Sequence, residues 1–180
     1  GEALLRKLAE REPFSYYGQL ARVRLKESGL TIPLFLDPSR QSPDGLPEFQ
    51  LPPDKLVLGD DRLRRPEELL QFGLRAEAGQ ELSRVESQLL QRYGAPRALP
   101  VLFQMYHRAE SFRRPHLLAE VHGSAALRKD PHAVPGARAY WEAMYPLAYR
   151  GFIEKYGASG DNPRRYLYSI MQKESAYNPY

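Results

Sequence analysis

The 180-residue chain contains no cysteine. Disulfides, thiol nucleophiles and thiolate metal ligands are therefore excluded, while the compartment is left open. No uninterrupted run of about 18 apolar residues occurs, and a membrane-spanning helix requires one. Strand-like alternation of apolar and polar residues is nearly absent. No Gly-rich phosphate loop and no Ser-His-Asp order is evident. The opening residues, Gly1 to Lys7, read as the edge of a helix. They lack the charged region, apolar stretch and small-residue site of a signal peptide, and a chain that had lost its leader would read the same way.

What is present is an ordinary globular balance, with 42% hydrophobic and 27% charged residues. Lysine and arginine number 26 against 22 aspartates and glutamates, a formal net charge of +4. The arginines run along the chain in the company of glutamates rather than in a dense basic block, so a nucleic-acid partner is not expected. The balance suits an anionic polymer, or no charge-driven partner at all.

Apolar residues recur at helical spacing. Leu4, Leu5, Leu8 and Ala9 mark one helix, ended by Pro13. Tyr16, Tyr17, Leu20, Ala21, Val23 and Leu25 mark the next, with Ser28-Gly29 as its stop. Between Pro33 and Leu56 six prolines and Asp44-Gly45 predict an extended connection. Pro66, Glu67 and Glu68 form a favourable first turn. Leu69, Leu70, Phe72 and Ala76 supply the apolar side of that helix, and Gly79 is expected to separate it from a helix carrying Leu82, Val85 and Leu89. That helix stops at Tyr93-Gly94, and further helices are expected over Leu99 to Ala109 and Pro115 to Leu127. Helices joined by short Gly or Pro turns predict an all-α fold, an irregular α-superhelix (solenoid) of αα-hairpins without a strict repeat.

Asp130 to Gly136 breaks this array. An aromatic-rich stretch follows, with Tyr140, Trp141, Met144, Tyr145, Tyr149, Phe152 and Tyr156, and Pro146 is expected to kink or divide it. At helical spacing such aromatics pack; a sugar-stacking surface is the rarer alternative. The expected organisation is a superhelical domain over 1–135, linker helices over 136–157, and the beginning of another domain over 158–180.

The last helix has Asn162 as a plausible N-cap and Pro163 at its first position. Leu167, Ile170 and Met171 form an apolar stripe, and its continuation lands on Glu174, seven residues after Leu167 and four after Ile170. A carboxylate is thus expected where a core side chain would lie. Burial beside apolar groups disfavours the charged form of a carboxyl, which suits a general acid. Periodicity alone leaves a plainer reading open: a solvated or salt-bridged glutamate, with Lys173 and Arg165 nearby.

The run Tyr168-Ser169-Ile170-Met171-Gln172-Lys173-Glu174-Ser175-Ala176-Tyr177-Asn178-Pro179 resembles the start of the catalytic domain of soluble lytic transglycosylases. There an apolar helix leads into a Gln-x-Glu-Ser pair and an aromatic-Asn-Pro segment. Tyr145-Pro146-Leu147-Ala148-Tyr149, with Ile153-Glu154-Lys155, looks like the helix that introduces this domain. Phe14-Ser15-Tyr16-Tyr17-Gly18-Gln19-Leu20-Ala21 is similar to a motif of the family's superhelix. The resemblance is strong at Glu174, moderate at Tyr145-Pro146 and weak between.

The resemblance implies a lysozyme-like catalytic domain beginning near residue 158, peptidoglycan glycan strands as partner, and a periplasmic location. It implies cleavage of the β-1,4 bond between N-acetylmuramic acid and N-acetylglucosamine without water. Glu174 would protonate the leaving oxygen and then, as base, draw the proton from the muramoyl 6-hydroxyl, closing a 1,6-anhydro ring. No second acidic residue lies close to Glu174, whereas ordinary glycosidases use a pair. Ser175 would be a supporting hydrogen-bond residue. The family's domain continues far past its Glu-Ser pair into a Gly-Leu-Met-Gln segment, so the sugar cleft is expected beyond Tyr180 and the 180 residues alone are expected to be inactive. Cofactors and metals are not implied.

His107 and Glu110, with His116, Glu120 and His122 downstream, stand at irregular spacings among Arg108, Arg113 and Arg114, and no metal site is expected from them. Two other functions fit the same helices: an α-solenoid scaffold that binds protein partners, and a goose-type lysozyme relative that hydrolyses the same bond with water.

Overall fold

The computed structural model describes residues 1–12, 15–32, 54–129, 137–157 and 164–178. Among the described residues every regular element is helical and no strand occurs, so the fold is all-α. No helix among them is long and apolar enough to cross a membrane. The chain divides into two compact units: Gly1–Glu48 with Gly123–Arg138, and Phe49–His122 with Ala139–Tyr180.

In the first unit α1 (Glu2–Arg11) packs on α2 (Tyr16–Glu27). Ala9, Ala21 and Leu25 are buried between them, with Leu5, Leu8, Leu30 and Ile32 partly buried around them. Ser15 is the N-cap of α2, its Oγ accepting the Gly18 amide at 2.9 Å. Gly18 is needed for space, because a Cβ there would lie 1.8 Å from the carbonyl oxygen of Glu12 and only glycine lets the chain pass this closely. The expected stop at Ser28-Gly29 is present as a Schellman turn, with the Leu30 amide on the Leu25 carbonyl and Gly29 on Lys26. Arg22 ties the ends of the pair together, donating from Nη1 to the Ile32 carbonyl (2.8 Å) and from Nη2 to that of Ala9 (3.3 Å).

Most of the proline-rich connection lies outside the described residues. Its end departs from the expected extended form. Asp54 caps α3 (Lys55–Leu58), accepting from the amides of Leu56 and Val57. A 3₁₀ turn (Asp61–Leu63) leads into α4 (Arg64–Gln71), in which Pro66 still falls within the first turn, where its missing N–H costs nothing.

The break expected at Gly79 occurs at Gly73 instead. Gly73 has φ +75°, and the Leu74 and Gly73 amides close a Schellman turn on the Leu69 and Leu70 carbonyls. Gly79 is buried inside α5 (Arg75–Tyr93), where an added Cβ would sit 3.4 Å from that of Ser111. Phe72, expected on the apolar side, sits at the end of α4 and is 80% exposed.

α6 (Ala95–Arg108) follows after Gly94 alone and supplies much of the buried apolar surface, including Leu99, Leu102, Phe103, Met105 and Tyr106. It begins earlier than expected, accommodating Pro96 in its first turn and Pro100 in its interior. α4 packs on α5, and α5 on α6. Then come α7 (Arg113–Lys129), α8 (Ala137–Met144) and α9 (Arg150–Tyr156); the last two are separated at Tyr145-Pro146 as expected. α10 (Arg164–Ile170) runs directly into a π-helical turn over Met171–Ser175. The expected cap Asn162 and Pro163 lie outside the described residues.

Candidate functional site

Glu174 lies in the π-helical turn, and its side chain is exposed. This corrects the expectation of a buried carboxylate on the apolar stripe. In an α-helix Glu174 would share the face of Leu167 and Ile170, but the wider π turn uses an extra residue and rotates the residues after it. The side chain that reaches the interior is Tyr177, at 2% exposure, while Leu167 and Met171 are half-buried and Ile170 is 41% exposed.

The turn ends in two consecutive left-handed residues, Ala176 (φ 48°) and Tyr177 (φ 63°). Its amides are nevertheless paired. Ala176 donates to the Gln172 carbonyl (3.2 Å), Tyr177 to that of Met171 (3.2 Å) and Asn178 to that of Ser175 (3.0 Å). The hydroxyl of Ser175 donates to the Met171 carbonyl at 3.0 Å, so its hydrogen bond closes the turn rather than reaching the neighbouring carboxylate.

Tyr177 is anchored by residues distant in sequence. It shares a small buried cluster with Phe112 and Ala148, against which Tyr149 and Met171 pack. The His116 ring meets it edge-on at 5.5 Å, and Phe112 meets Tyr149 likewise at 5.3 Å. The hydroxyl of Tyr149 donates to the Tyr177 carbonyl (3.2 Å). Burial, together with the nearby phenols of Tyr145 and Tyr168, pushes the Tyr177 phenol up from its ordinary value. His116 is itself buried, with Nδ1 2.7 Å from the carbonyl oxygen of Met144. A carbonyl only accepts, so Nδ1 carries the proton there. Sequence reasoning singles out Glu174 and Ser175 but not this anchor; its two segments, Tyr145 to Tyr149 and Ala176-Tyr177, are visible in the sequence only as motifs.

The histidines and acids considered for a metal site are placed separately, with His116 packing on Tyr177 itself. The His107 ring packs edge-on against Phe112 at 5.9 Å, and burial pushes its imidazole down, Glu110 opposing. Glu110 pairs with Arg75, His116 Nε2 lies 3.9 Å from Glu120, and His122 is exposed. Among the described residues no three His, Asp or Glu side chains gather as a metal-binding set.

The aromatic stretch divides in use. Tyr140 and Met144 are buried, with Tyr140 edge-on to Phe103 at 5.6 Å. On α9 no residue is buried; Phe152 and Tyr156 are 68% and 63% exposed, and their rings stack at 6.5 Å.

Comparison of the chain with protein-family models, curated proteins and solved structures gives no match.

Proposed function

We propose that the protein carrying this chain is a peptidoglycan lytic transglycosylase. On this reading residues 1–135 belong to its helical superhelix, 136–157 link, and 158–180 begin a lysozyme-like catalytic domain. The observation that carries the reading is the Glu174-Ser175 pair, within a transglycosylase-like run, standing exposed on a π turn whose next residues are left-handed and anchored by Tyr177. π turns within helices and strained backbone concentrate at functional sites.

Glu174 is the acid and then the base. Its proton passes to the glycosidic oxygen as the bond from the muramoyl C1 breaks. The resulting carboxylate takes the proton of the 6-hydroxyl, whose oxygen closes on C1, and the acid is restored without water. A general acid at neutral pH needs a desolvated carboxyl. Glu174 is exposed, so the glycan strand, or chain folded over the turn, excludes water from it when the enzyme acts. Ser175 supports by closing the turn on Met171. The enzyme works in the periplasm on glycan strands, with no nucleic-acid partner.

The test is the end group left on peptidoglycan digested by the full-length protein. A 1,6-anhydromuramoyl end supports transglycosylation, and a reducing end would assign a goose-type hydrolase instead. The exposed Phe152–Tyr156 face favours a second reading, a helical scaffold that binds protein partners; intact glycan after digestion supports that one.

A further inference from the structure

Among the described residues four non-glycine positions have left-handed backbones, and three of them, Tyr149, Ala176 and Tyr177, meet at one place. Tyr149 (φ 54°) precedes α9 as its N-cap without capping it through its side chain. Its hydroxyl reaches instead to the Tyr177 carbonyl, three residues beyond Glu174 and 28 residues along the chain. Non-glycine residues hold such a conformation only where surrounding contacts over-determine it. Here those contacts are the burial of Tyr177, the edge-on rings of Phe112 and His116, and the bond between the two tyrosines.

We propose that Tyr149 is a positioning residue for Glu174, holding the π turn open through its hydrogen bond to Tyr177. The inference rests on the reading of Glu174 given above. With the bond in place, Tyr177 takes the buried position and Glu174 faces outward, where a glycan strand reaches it. Without the bond, the left-handed pair loses one of its constraints. An ordinary α-helical continuation then turns Glu174 onto the stripe of Leu167 and Ile170, away from substrate. Ala176 and Ser175 stay linked to Gln172 and Met171 within the turn itself, whereas the hydroxyl of Tyr149 brings its hydrogen bond from outside the turn.

Tyr149→Phe in the full-length protein removes the hydroxyl and keeps the ring against Phe112. Kinetics on a soluble glycan oligosaccharide, with Glu174→Gln alongside, separate the outcomes. The expected result is a kcat about 10-fold lower for Tyr149→Phe, because a small displacement of a reacting group costs turnover steeply. KM is expected within about twofold of wild type and the melting temperature nearly unchanged, since binding surface and packing stay intact. A wild-type kcat for Tyr149→Phe beside an inactive Glu174→Gln overturns the positioning role and leaves the reading of Glu174 standing. A KM rise at unchanged kcat overturns it as well. An active Glu174→Gln overturns both.

Discussion

The hydroxyl of Tyr106 lies 2.8 Å from Glu86 Oε2, and Arg114 pairs with the same side chain, so a polar network is held inside the helical core. Glu86 is 4% exposed and Tyr106 is fully buried. Burial dominates the Tyr106 phenol and pushes it up, the adjacent carboxylate adding to the effect. The phenol therefore stays protonated and donates. Two sequence segments, α5 and α6, are fixed in register by this contact, and Ser83 Oγ extends it at 3.3 Å.

Breaking the network from the cationic side leaves a buried carboxylate with only a phenol for company. Arg114→Met is expected to lower stability by about 2 kcal/mol, below the usual cost for a fully buried pair because Arg114 is partly exposed. Tyr106→Phe leaves the arginine in place and is expected to cost about 1 kcal/mol. Urea unfolding of each variant checks both; equal, negligible losses would mean that the carboxylate is solvated.

Acid sensitivity is expected at the start of α3. Arg97 donates from Nε to Asp54 Oδ2 at 2.6 Å and from Nη2 to Oδ1 at 3.2 Å. The guanidinium, and then the Leu56 and Val57 amides, hold the Asp54 carboxyl at about 2 against a smaller opposing effect of burial. A carboxyl lowered in the folded state contributes stability above its unfolded value, 3.8, and that contribution is lost as pH falls toward about 2. Melting temperatures of wild type and Asp54→Asn are expected to converge as pH falls from 3.8 to about 2, with the wild type higher near neutrality. Asn keeps the cap through Oδ1 but loses both the charge and the Oδ2 acceptor of Arg97 Nε, so the pair with Arg97 is what is tested. Parallel curves would contradict the assignment.

Two glycines are required for different reasons. Gly18→Ala places a methyl 1.8 Å from a backbone oxygen, which cannot rotate aside, and is expected to cost about 3 kcal/mol. Gly73→Ala meets nothing within 4 Å but must adopt φ +75°, at a cost of about 1 kcal/mol. Thermal unfolding ranks the two, and the reverse order would contradict the packing of α1 on α2.

Much of the helical order is legible in the sequence because it is local. Gly29 as a stop and the division at Pro146 depend on neighbours a few residues away. The break at Gly73 is hidden behind Gly79, since both glycines fit a stop and only the approach of Ser111 distinguishes a buried glycine from a turn. Nothing in the sequence near Glu86 points to Arg114, 28 positions on, which pairs with it in the fold. Glu174 is singled out by its place in a motif, but its exposure is not legible in the sequence. A π turn is invisible to a 3.6-residue period, and this one is stabilised by Tyr177 seated against Phe112, which comes from a distant part of the chain.

The central claim is that Glu174 both gives and takes the proton. The most direct measurement is the release of 1,6-anhydromuramoyl products from purified peptidoglycan by the full-length protein and by its Glu174→Gln variant, counted by mass spectrometry. The account predicts release by the wild type and a loss of about a thousandfold in the variant, within the range for removing a general acid–base group. Undiminished release by Glu174→Gln would contradict it.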